Sequence, residues 1–167
     1  MEKRGKMNRK LLTALAIASI GFGVAAAQAP SGMGLGLMAG EPSGFSAKVW
    51  TSDHVALDAG LGYSYVWYGQ ALQIHGDVLF HSSSLTQSGD GFLPLYIGIG
   101  ARVKLASGSY PVWAGLRVPF GLEYVFARVP VGLFFELVPI FDVTPGPTRF
   151  TGNSAIGFRY YFGSHGY

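Results

Sequence analysis

Leu95-Tyr96-Ile97-Gly98-Ile99-Gly100-Ala101-Arg102-Val103-Lys104-Leu105 alternates without a break. Leu95, Ile97, Ile99, Ala101, Val103 and Leu105 take the odd positions; Tyr96, Gly98, Gly100, Arg102 and Lys104 take the even ones. Successive side chains of a strand point to opposite faces, so parity decides which residues share a surface. One surface here is apolar, and the other mixes charge with glycine. The same division extends along the chain from Lys48. Arg117 and Glu123 share a parity, as do Glu136 and Asp142, and as do Gln73, His75, Asp77 and His81.

Turn chemistry cuts this pattern into about eight segments, near the ~9–11 residues of a tilted membrane-spanning strand. The expected strands are 32–40, 45–51, 55–66, 71–81, 93–104, 113–125, 131–143 and 154–162. Glu41-Pro42-Ser43-Gly44 reads as a turn, Pro setting φ and Gly permitting positive φ. Two longer polar connections are expected at 82–91 and 144–153, the second holding two Pro and two Gly. Pro94, Pro119 and Pro139 fall inside expected strands, where each removes a ladder hydrogen bond, so they mark bulges or strand ends.

Residues 1–27 read as a signal peptide. Lys3, Arg4, Lys6, Arg9 and Lys10 precede an apolar run from Leu11 to about Val24 and the small residues Ala25-Ala26-Ala27. The apolar run falls short of the ~20 residues of a spanning helix. Cleavage after Ala27 leaves 28–167 as a single domain and changes the charge. The leader holds five of the 12 basic residues and one of the nine acidic ones, so seven bases face eight acids in the remainder. The basic pI therefore reflects export, and the sequence offers no nucleic-acid surface. The absence of cysteine removes a disulfide framework and lipid attachment through cysteine.

Alternation alone fits two closed antiparallel barrels. A secreted barrel puts its apolar face inside; a membrane barrel puts it outside. The polar parity carries Gly34, Gly36, Gly60, Gly62, Gly98, Gly100, Gly121 and Gly157 among its charges. Small residues between bulky charged ones suit a narrow lumen better than a wet surface. The expected lipid-facing set is Leu57, Leu61, Ile74, Val78, Ile97, Ile99, Val118, Leu122, Leu133, Phe135, Ile156 and Phe158. Tyr63, Tyr65, Tyr124 and Phe162 near strand ends, with Trp67 and Trp113 at strand–loop junctions, fit interfacial aromatic girdles.

The expected lumen network sets Lys48, Arg102, Lys104, Arg117 and Arg159 against Asp58, Asp77, Glu123, Glu136 and Asp142. An eight-stranded barrel is filled by its own side chains. Equal numbers of each sign point to a plugged interior of ion pairs, with Arg117, Glu136 and Arg159 as the preferred trio.

Several stretches resemble a known group. Gly34-Leu35-Gly36-Leu37 with Gly40-Glu41-Pro42-Ser43-Gly44, the segment from Leu93 to Arg102, and the closing Arg159-Tyr160-Tyr161-Phe162 are similar to small bacterial outer-membrane β-barrels of the OmpA/OmpX-like kind. The resemblance covers 28–167 and implies an eight-stranded up-and-down transmembrane barrel in a Gram-negative-type envelope. It also implies an assembly signal at Phe158, Tyr160 and Phe162, read by the barrel-assembly machinery. That signal usually ends the chain, whereas here Gly163-Ser164-His165-Gly166-Tyr167 follows.

The functional expectation is a monomeric structural or surface-interaction barrel whose partners are the bilayer and its lipids. No catalytic residue, metal ligand or cofactor is assigned. The alternatives are a narrow pore for small solutes and a lipid-modifying enzyme. An Asp77–His81–Ser83 relay is chemically conceivable, but the parity of His81 points inward and the motif lacks geometric context. His75, Asp77 and His81 share a face as a metal triad would, yet residues two apart on a strand sit ~6–7 Å from each other.

Overall fold

The computed structural model describes residues 32–65, 70–85, 91–106 and 112–163, apart from the side chains of 83 and 84. Residues 1–27, read as a leader, lie outside that set, as do Trp67 and the tail 164–167. The elements are strands: β1 (Met33–Gly40), β2 (Ser43–Trp50), β3 (Val55–Ser64), β4 (Ala71–Ser84), β5 (Gly91–Phe92), β6 (Pro94–Ala106), β7 (Trp113–Arg117), β8 (Phe120–Phe126), β9 (Val131–Thr144) and β10 (Arg149–Phe162). Every pairing is antiparallel, and β10 pairs with both β9 and β1. β5 and β6 pair with β8 in one register, and β7 and β8 do the same along β9. The ten segments therefore act as eight strands in sequential order, their hydrogen bonding closed into a ring.

Prolines explain the interruptions. Pro119 separates β7 from β8 without shifting the register on either side. Val118 N–H donates to Pro139 O at 3.0 Å, and Gly98 N–H donates to Pro119 O at 2.8 Å. A strand residue's N–H and C=O point to the same side. The N–H that Pro139 lacks therefore faces the strand already broken at Pro119, while the N–H that Pro119 lacks faces β6, so the two missing donors fall in adjacent seams. Pro94 opens β6 beside a register shift between His81 and Ser84, where a bulge tolerates it.

Two expected loops are shorter than the sequence suggested. The connection at 144–153 narrows to a turn, because β10 already pairs with β9 at Arg149↔Asp142. Thr151 and Asn153, polar enough to read as loop, are strand residues whose side chains bond inside the ring. The connection at 82–91 also narrows: β4 runs to Ser84, and Leu85 N–H donates to Leu93 O at 2.8 Å.

Burial inverts the usual order of a water-soluble protein. All ten charged residues of the expected network are buried. The outward face carries Leu35, Leu57, Leu61, Ile74, Ile97, Leu122, Leu133, Phe135, Ile156 and Phe158, all exposed, with Ile99 at 58%. Val78 and Val118 are half-buried. Tyr63, Tyr65, Tyr160 and Phe162 extend the exposed apolar surface to the strand ends. Trp113 departs from its expected girdle position. It is buried, with the Arg149 guanidinium 5.4 Å from its ring centre.

Candidate functional site

Register places the charges before any side chain moves. Lys48 pairs with Asp58, Asp58 with Asp77, Asp77 with Gly100, and Gly100 with Arg117. This single row crosses five strands on the inward face. Gly100 is obligatory there, because a Cβ would overlap the Asp77 carboxylate and the Gly76 carbonyl.

Three layers follow along the ring. Near the end where β1 starts and β10 finishes, Lys48 Nζ lies 2.5 Å from Glu123 Oε2 and 2.8 Å from His81 Nε2. It also sits 4.4 Å from the Trp50 ring centre, within cation–π range. Glu123 is the hub of this layer, accepting from Tyr161 Oη at 2.5 Å and from Arg159 Nη1 at 3.5 Å. In the middle, Arg159 Nη2 donates to Asp58 Oδ1 at 2.6 Å and Arg159 Nε to Ser46 Oγ at 2.9 Å. Arg117 joins Asp77, at 3.0 Å from Nε, to Glu136, at 3.1 Å from Nη2. At the far end Arg102 holds Asp142 through Nη2 at 2.7 Å and reaches Gln73, Asn153 and Thr151. Lys104 Nζ lies 3.7 Å from Glu41, whose carboxylate also accepts from Ser64 Oγ and from the Tyr65 N–H.

Each buried ion is met by an opposite charge, as removal from water demands. The partners differ in part from expectation. Arg117 bonds Glu136, but Arg159 pairs with Asp58 and Glu123 instead of completing the trio through Glu136. Glu41 was read only as a turn residue, yet it turns into the ring and belongs to the network. Its signal was Lys104, a buried cation on a layer otherwise short of acid. Among the described residues the interior therefore holds six carboxylates against five cations: Glu41, Asp58, Asp77, Glu123, Glu136 and Asp142 against Lys48, Arg102, Lys104, Arg117 and Arg159.

The conceivable relay is not assembled. Asp77 is committed to Arg117, while His81 contacts Lys48 and packs against the Trp50 and Tyr96 rings at 4.3 and 5.3 Å. The Ser83 side chain lies outside the described residues. Phe158, Tyr160 and Phe162, the expected assembly signal, all point outward from β10 and are exposed. No protein-family model, curated protein or solved structure matches the chain.

Proposed function

We propose that the chain is an outer-membrane β-barrel protein, exported by residues 1–27, with a structural or surface-interaction role and a lumen plugged by its own ion pairs. The observation that carries this reading is the inversion of polarity across the wall. Leucine, isoleucine and phenylalanine cover the outside of the ring, while ten charged side chains of its strands lie within. Water-soluble monomers rarely expose contiguous apolar patches beyond roughly 300–600 Å². A bilayer favours that outer face, and a closed ring leaves no unpaired strand edge in hydrocarbon. Assembly through the outward aromatics of β10, a monomeric state and the absence of catalysis belong to the same proposal.

Cell fractionation with N-terminal sequencing tests it. The expected result is a chain that begins at Gln28, co-sediments with the outer membrane and migrates differently on gels before and after boiling. An intact Met1 on a protein recovered from the cytoplasm would overturn the proposal.

A further inference from the structure

Asp58 and Asp77 stand directly opposite each other on β3 and β4. Like charges at such a position repel, their Cβ atoms only about 4.5–5.5 Å apart. His75 is the next inward residue along β4. One ligand atom from each of the three lies within 4.8 Å of the others. His75 is only 5% exposed, its Nδ1 is buried, and that nitrogen has no hydrogen-bond partner.

We propose that Asp58, His75 and Asp77 form a binding site for one divalent transition cation, of which zinc is the probe. The donor set is two carboxylates and one imidazole, a combination suited to zinc and its neighbours. Ligands held about 2.0–2.2 Å from a common ion sit roughly 3–4 Å from one another. The three donor atoms, within 4.8 Å of one another and with no hydrogen bond from His75 to either aspartate, would close by up to about an ångström onto a shared ion. Asp58 gives only Oδ1 to Arg159, which leaves Oδ2 for a second partner, and the two Asp77 oxygens, which share Arg117 Nε at 3.0 and 3.1 Å, each keep a further lone pair.

Charge supports a cation here despite two nearby guanidiniums. Asp58, Asp77, Glu123 and Glu136 are linked to only Lys48, Arg117 and Arg159. The middle of the ring is one positive charge short, in surroundings where unbalanced charge is costly. Gly60 opposite His75 adds room, since a Cβ at that position would overlap the imidazole. The site uses only the ring's interior and does not depend on the bilayer reading.

The test is refolding of the full chain in detergent micelles with zinc, removal of free ion, and metal analysis with X-ray absorption. The expected result is one zinc per chain, with one imidazole and otherwise oxygen ligands. A His54→Gln/His165→Gln double variant should bind zinc as the parent does, while His75→Gln should lose at least tenfold in affinity and keep its strand circular dichroism. Zinc-free folded parent protein would overturn the proposal, as would two or more imidazoles on the metal. Undiminished binding by folded His75→Gln would do the same. If His75→Gln does not fold, the parent's stoichiometry and ligand count decide.

Discussion

Glu123 accepts from Lys48, Tyr161 and Arg159 at a point without exposure. Replacing it with alanine leaves buried Lys48 without its carboxylate and Tyr161 without its acceptor. Glu123→Ala is expected to cost on the order of 3–5 kcal/mol, measured by urea unfolding of the refolded protein. A Lys48→Met/Glu123→Leu double variant should cost far less, because Arg159 keeps Asp58 and no lone charge remains. Equal losses for the single and double variants would show that pairing does not govern this layer. At this scale parity was legible and partnership was not. Alternation in the sequence put all ten charges on one face, but it could not say that Arg159 crosses the interior to Asp58. Such contacts join residues far apart in sequence and depend on the reach of long side chains between layers. Glu41 escaped notice because Pro42 and Gly44 gave its neighbourhood the chemistry of a turn.

Strands present a different balance. β6 is flanked by β4 on one side and by β7 and β8 on the other, and its odd positions from Leu95 to Leu105 all face outward. Ile99→Arg is expected to destabilise the protein in lipid vesicles by roughly 2–4 kcal/mol if the position lies near the bilayer midplane. The same change should cost much less in a strand end near the interface, for instance at Leu105. Equilibrium unfolding in vesicles would measure both, and equal values at the two positions would argue against a depth-dependent lipid environment. Strand identity and order were legible in the sequence because period-two alternation persists across each segment. Boundaries were less so. Polar Thr151 and Asn153 looked like loop, although an inverted protein puts its polar residues in strands facing inward. Composition also misread Trp113, whose indole turns into the ring as that of Trp50 does, while Tyr63, Tyr160 and Phe162 face out. Pro119 and Pro139 were visible in the sequence, but their placement in the two seams that flank β7 and β8 emerges only from the register.

For the molecule as a whole, the plug and the membrane are separate claims. A lumen crossed by Arg117–Glu136, Arg159–Asp58 and Arg102–Asp142 pairs should show no stepwise ion conductance in planar bilayers. Regular single-channel steps would replace the plug with a narrow pore while leaving the closed ring of strands intact. The membrane claim is tested most directly by spin labelling, which the absence of native cysteine makes straightforward. Single cysteines placed in turn at 96–104 and labelled with a nitroxide can be scanned in refolded, vesicle-bound protein for collisions with oxygen and with a water-soluble nickel complex. Labels at Ile97, Ile99, Ala101 and Val103 should meet oxygen freely and the nickel complex hardly at all, with a period of two residues along β6. Labels at those four positions that collide freely with the nickel complex would place the apolar face in water and contradict the account.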